Sequence, residues 1–358
     1  MFVGEFRDEV ADVRDLAHQE TSQLRAGQVD TSPAADGRGD VAPFTAIVRQ
    51  AGSLRPRATD GRGHPWPLGI AVKLGPTTRR DGPTVMAVEG DITDVVAHYE
   101  ASLEEDRLSG GLAALELLRT QEILRRHLPV PPGHVLDVGG GTGVHAEWLL
   151  ADGYAVHLVD LTPRHVDHAL ARLGGQGLTA EVGDARHLSC SDHSFDVVLV
   201  LGPLYHLHEE SDRLRVLEEA RRVVRRDGVV AVAAISRFAS VFDGLVREFL
   251  FEPEFRDIVQ RDFIDGRHAN PENRPHWFTT AFFHRPEQLA DEIDLAGLSL
   301  VELVGVEGLA GWLPHLEHRW ANESDREVIL SATRLIEAEP AVLGLSAHLL
   351  AIARGPSD

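Results

Sequence analysis

The chain has 358 residues, 43% of them hydrophobic and 25% charged, which is the balance of a globular protein with ample material for a core. Its one cysteine, Cys190, excludes an internal disulfide framework and a multi-cysteine zinc site, and no run reaches the ~20 apolar residues of a membrane helix. The formal net charge of −21 lies wholly after Val85, because eleven basic and eleven acidic residues balance before it. A body so acidic repels a phosphate backbone, and no Lys/Arg stretch interleaved with aromatics offsets this, so neither nucleic acid nor membrane is an expected partner.

Residues 1–85 carry stretches such as TSPAADGRGD and GSLRPRATDGRGHPWP, rich in Gly, Pro, Arg and Asp. They predict a flexible or irregular extension in which only Gly69 to Leu74 looks strand-like. Met86 stands where the ordered pattern begins, which makes an internal translation start there an expectation. The N-terminus lacks the basic-then-apolar order of a signal peptide, so the expected location is cytoplasmic. From Asp91 to Leu128 the spacing turns helical: Val95, Val96, Tyr99 and Leu103 fall three and four apart, Gly110-Gly111 interrupts, and Leu115, Leu118 and Ile123 resume the stripe.

Val135 to Val138 predicts a buried strand, and Gly139, Gly140, Gly141 and Gly143 follow at once, with a helix from about Val144 to Asp152. Strand, glycine turn and helix together make a ligand site, since glycine removes the Cβ atoms that block the backbone and a helix start offers unpaired N–H groups. Gly141 to Ala146 satisfies the dinucleotide pattern G-x-G-x-x-G/A in its weaker form. A carboxylate at Asp137 serves a phosphate poorly and a cationic ligand end well. Ala155 to Val159 is the next strand, closed by Asp160, an acid placed about 20 residues past the turn to accept the hydroxyls of a ribose. Thr162-Pro163 starts a helix to about Leu173. Leu178 to Val182 is a third strand ending in Gly183-Asp184-Ala185. Phe195 to Leu201 is a fourth strand, leaving through Gly202-Pro203-Leu204-Tyr205-His206-Leu207.

Asp212 to Arg226 reads as an amphipathic helix whose Arg221, Arg222, Arg225 and Arg226 answer its C-terminal dipole. Asp227-Gly228 turns into a fifth strand, Val229 to Ile235. The insertion from Ser236 to His284 concentrates the aromatic residues and reads either as a cap over substrate or as the core of a small helical subdomain. Pro286 to Ala296 is a helix, Leu298 to Val306 a strand, Trp312 to Pro340 mainly helical, and Leu345 to Arg354 a last apolar strand.

Asp137, Gly139, Gly141 and Gly143, spaced acid-x-Gly-x-Gly-x-Gly, resemble motif I of the class I S-adenosylmethionine-dependent methyltransferases of small-molecule type, and VVRRDGVVAVAAIS resembles their motif III with Asp-Gly where Pro-Gly is commoner. The resemblance covers about Asp91 to Arg354. It implies an α/β fold: a Rossmann-like seven-stranded sheet with helices on both faces, a helical lid ahead of the first strand and a helical cap at about 237–284, within a methyltransferase domain spanning 86–358. It also implies S-adenosyl-L-methionine as cofactor. The motif I glycines and Asp137 would cradle its methionine part, Asp160 the ribose, Asp184 and Ala185 the adenine, with Leu201 alongside. Gly202 and Leu204 depart from the Asn/Asp-Pro-Pro-Tyr of enzymes that methylate base amines, which argues against a nucleic-acid target. His206, beside Tyr205, is the candidate general base, because imidazole titrates near neutrality. Tyr99, Phe238 and His284 are the candidates for contact with substrate. The histidines lack metal-ligand spacing, so no metal is expected. The implied reaction moves a methyl group to an O, N or C nucleophile of a small molecule. A nicotinamide-dependent oxidoreductase, a non-methylating cofactor-binding scaffold and a protein or peptide methyltransferase stand as alternatives, and a homodimer is left open.

Overall fold

The structure, a computed structural model, describes residues 111–270, 274 and 277–357. The expected extension 1–85, the helical stretch 91–110 and Tyr99 lie outside the described residues.

Five strands pair in parallel in the order β3-β2-β1-β4-β5. They are β1 (His134–Val138), β2 (Ala155–Asp160), β3 (Leu178–Val182), β4 (Phe195–Val200) and β5 (Val224–Ser236). The order reverses between β1 and β4, which opens a crevice at the strands' carboxyl ends. Beyond β5 lies β9 (His348–Arg354), antiparallel to it from Val229↔Arg354 to Ile235↔His348, and β8 (Ser299–Gly305) pairs antiparallel with β9. The sequence leads to the expectation of a seven-stranded sheet, and the described sheet is larger. A short hairpin of β6 (Arg267–His268) and β7 (Ala281–His284) extends the sheet to nine strands, through Ile235↔Phe283 and Ser236↔His284.

Alternation along the strands fills both faces, as a sheet covered on two sides requires. Val135, Leu158, Val197 and Leu199 pack on one face with Ile123 and Leu124 of α1 (Gly111–His127), Leu149 of α2 (Val144–Ala151), and Val166 and Leu173 of α3 (Pro163–Leu173). Leu136, Val138, Val198 and Val200 pack on the other with Val216 and Leu217 of α4 (Glu210–Val223) and Leu289 and Ile293 of α7 (Pro286–Leu295).

The expected helix to Arg226 stops at Val223, and Val224 already pairs with Phe195 before a bulge carries the register to Val197↔Val229. The Arg225 side chain pairs with Asp196 of β4, so strand pairing rather than a helix dipole accounts for this end of the arginine cluster. In the insertion, α5 (Ala239–Val246) and α6 (Pro253–Asp265) enclose a core of their own: Phe255, Ile258, Val259 and Trp277, with Val241, Phe249 and Leu250 packed on it. That supports the subdomain reading of its aromatics. After β8, α8 (Leu316–Trp320) and α9 (Glu323–Ile336) pack on Leu115 of α1.

Candidate active site

At the carboxyl ends of β1 to β4 lies a cavity whose wall includes Asp137, Gly139 and Gly141 from the first turn, Asp160 from β2, Asp184 and Ala185 after β3, and Leu201, Tyr205 and His206 after β4. These side chains meet because parallel strands of one sheet bring successive strand ends to one edge.

The glycine turn is held from the β2 side. Gly139 N–H donates to the Val159 carbonyl at 2.7 Å, and Gly141 N–H to an Asp160 carboxylate oxygen at 2.8 Å. Gly141 has φ +55°, and a Cβ there would point into open space, so the backbone is bare on the cavity side. Gly143 is absent from the wall. It stands before α2 with φ +87°, and a Cβ there would lie 3.1 Å from Leu173 of α3. It packs against α3 and is not among the residues that line the cavity.

The three acids differ in electrostatics. Asp137 is buried, its Oδ2 has no hydrogen-bond partner, and burial together with the neighbouring Asp160 charge pushes its carboxyl up to about 7. Burial pushes Asp160 the same way, but hydrogen bonds from His165 and from the Thr162 and Gly141 backbone outweigh it and hold that carboxyl below its ordinary range. Asp184 is also burial-raised and then brought down, in this case by the Arg186 guanidinium, which donates to both its oxygens and reaches Asp212 at 2.9 Å. Arg186, with Glu116, Leu117 and Thr120 of α1, lines the cavity unforeseen by the sequence reading. The Asp184 pairing and the polar positions between the apolar residues of α1 were the available signals.

Tyr205 and His206 share a short turn, Pro203–His206, with ring centroids 4.7 Å apart, and the Tyr205 hydroxyl donates to the Leu201 carbonyl at 3.4 Å. Nε2 of His208 lies 2.9 Å from the Ala281 carbonyl of β7. His284 is fully buried, 3.2 Å from Glu292 and edge-on to Phe282; burial lowers its pKa, so the neutral ring is favoured. Phe238 packs on Phe263. Neither His284 nor Phe238 is among the residues that line this cavity.

Residues 135–228 match the family described as a methyltransferase domain. The chain is 35% identical over 123 residues to "Methyltransferase GfsG" of Streptomyces halstedii, covering 33% of this chain and 43% of that protein. It is 37% identical over 100 residues to the glycine/sarcosine N-methyltransferase of Parasynechococcus marenigrum, covering 27% and 36%. The matches thus span less than half the length of these relatives. An S-adenosylmethionine-dependent methyltransferase structure from Mesorhizobium loti aligns at 14% identity and a TM-score of 0.46 over 66% of this chain and 97% of that one. The glycine turn and all three strand-end acids lie inside the matched segment, so residues 135–228, with the cavity wall they supply, are similar to a methyltransferase domain.

Proposed function

We propose that this chain moves the methyl group of S-adenosylmethionine to an O, N or C nucleophile of a small molecule, and that residues 86–358 carry the activity with 1–85 as an extension. The observation that carries the reading is Asp137, a buried carboxylate with one oxygen lacking a partner, on the wall of a cavity it shares with two further strand-end acids. Such a group fits a bound ammonium and fits a pyrophosphate badly. Asp137 and the bare backbone at Gly141 would hold the methionine part, Asp160 the ribose and Asp184 with Ala185 the adenine. When bound, the cofactor supplies an electrophilic methyl group on a sulfonium.

The protein's own work is alignment and proton handling. Tyr205 and His206 form the wall at the β4 exit, where His206 would take the proton that an O–H or N–H acceptor sheds. Tyr205 packs against Ile235, Ala281 and Phe283, so the insertion 237–284 adjoins this wall and would approach the acceptor from there.

Calorimetric titration of S-adenosylmethionine and S-adenosylhomocysteine into the parent and Asp160→Ala, with NAD as control, tests the site. Micromolar binding lost in the variant is the expected result, and NAD binding in its place would return the oxidoreductase reading. Methyl-label transfer into metabolites of the native host then tests the reaction. Label found only in protein would replace the small-molecule acceptor with a peptide.

A further inference from the structure

Away from the cavity lining, β2 and β3 assemble a second group of chemically capable side chains. A His157 ring nitrogen, a Glu181 carboxylate oxygen and the Cys190 sulfur lie within 4.8 Å of one another, all three partly buried. The parallel register sets His157 opposite Thr179 and Val159 opposite Glu181. Side chains alternate along a strand, so His157, Thr179 and Glu181 share one face. Cys190 arrives from the loop after β3.

The surroundings orient these groups. Thr179 Oγ1 donates to the Val156 carbonyl at 3.4 Å and lies 2.8 Å from His157 Nδ1. A hydroxyl whose proton is so used accepts from Nδ1–H, which leaves the lone pair of the neutral ring on Nε2, 3.5 Å from Glu181 Oε1. Ser189 Oγ donates to the same Glu181 oxygen. Arg222 pins the loop by donating to the carbonyls of Leu188 at 3.0 Å and Cys190 at 2.8 Å. Two acceptors thus face each other beside a thiol, each steered by a neighbour, as ligands around a metal are steered.

We propose that His157, Glu181 and Cys190 form a three-ligand site for a borderline divalent transition metal, zinc foremost, with water as the fourth ligand. On binding, the Cys190 thiol releases its proton to solvent and the sulfur donates an electron pair to the metal, with no change of oxidation state. The ion would join β2 and β3 to the loop whose first residues, Asp184 and Ala185, stand on the cavity wall. The competing arrangement is a protonated His157 paired with Glu181, which needs no metal.

The test is optical titration of the reduced, chelator-treated full chain with cobalt(II). The chain has a single cysteine. A thiolate-to-cobalt charge-transfer band in the near ultraviolet therefore reports Cys190, whatever the many histidines bind. Expected are that band together with the visible bands of a tetrahedral ion, saturation at one equivalent and displacement by zinc. Cys190→Ser should abolish the charge-transfer band. His157→Ala should weaken binding by at least about tenfold, and Thr179→Val should keep the band with affinity lowered about tenfold, since only ring orientation is lost. Circular dichroism of each variant separates loss of a ligand from loss of fold. Absence of the charge-transfer band in the parent, or a band unchanged in His157→Ala, would overturn the assignment. The readout does not depend on methyl transfer.

Discussion

A carboxylate is held in a protein interior at a cost unless something compensates its charge, and Asp137 and Asp160 sit on opposite sides of that rule. The Asp137 carboxyl is pushed up to about 7 by burial first and by Asp160 second. Between its ordinary value of 3.8 and about 7, the fold therefore holds a proton that the unfolded chain has lost. Stability falls as pH rises through that window and levels above it. Asp137→Asn should accordingly raise the melting temperature of the cofactor-free protein at about pH 8, by a stabilisation of up to about 4 kcal/mol, while cofactor binding is lost. A variant less stable than the parent under those conditions would show that the carboxylate is compensated inside the fold. Asp160 has the opposite sign: its pKa is depressed, so its contribution is present above the unfolded value and lost as pH falls through the folded one. Asp160→Ala strips the acceptor from the Gly141 and Thr162 N–H groups and should cost about 1–3 kcal/mol at neutral pH. Denaturant melts that leave it at parental stability would mean that water or another group replaces those bonds. Both acids were legible in the sequence because each closes an apolar run, but their opposite pKa shifts arise from hydrogen bonds that only the folded turn supplies.

Helices α4 and α7 are fastened by a buried ion pair, Arg213 to Glu292, with Nη2 and Oε1 2.7 Å apart. Arg213 also donates to the carbonyls of Leu207 and His208, just past His206, and its guanidinium carbon lies 3.5 Å over the Phe282 ring of β7. One side chain thus ties two helices, the hairpin and the turn that carries the candidate base. Glu292→Ala leaves a buried guanidinium uncompensated and should cost about 3–5 kcal/mol, whereas Arg213→Met with Glu292→Leu should cost much less. Equal losses in chemical unfolding would assign the stability to packing instead. At this scale the sequence reads well where an element is an apolar run with a hard stop: β3 has the expected bounds, Leu178–Val182. It reads badly where the arrangement depends on a distant partner. The end of α4 is set by the pairing of Val224 with Phe195, and the burial of His284 by Glu292, neither of which leaves a local pattern. The His157, Glu181 and Cys190 group is the extreme case, since strand register alone assembles it while the linear spacing of the histidines carries no ligand motif.

For the molecule as a whole, the reversal of strand order between β1 and β4 gathers the first-turn glycines and three acids into one cavity, while the antiparallel β9 closes the other half of the sheet against β5 and β8. That topology opens the crevice in which the proposed cofactor would bind. Binding at the cavity spans the ends of four strands and should therefore stabilise the fold globally. S-adenosylmethionine at about a hundred times its Kd should add about 2.7 kcal/mol, which for a body of this size raises the melting temperature by roughly 5–10 °C. The rise should itself depend on pH. A bound ammonium needs the ionised form of Asp137, so below about pH 7 part of the binding free energy goes into removing a proton, and the shift shrinks toward about pH 5.5. Asp137→Asn, which loses the cofactor, should show no such shift at any pH in this range. A thermal shift of constant size across this range in the parent would assign the cation to a different group, and an equal shift with NAD would favour a phosphate-binding turn in spite of the carboxylate before it.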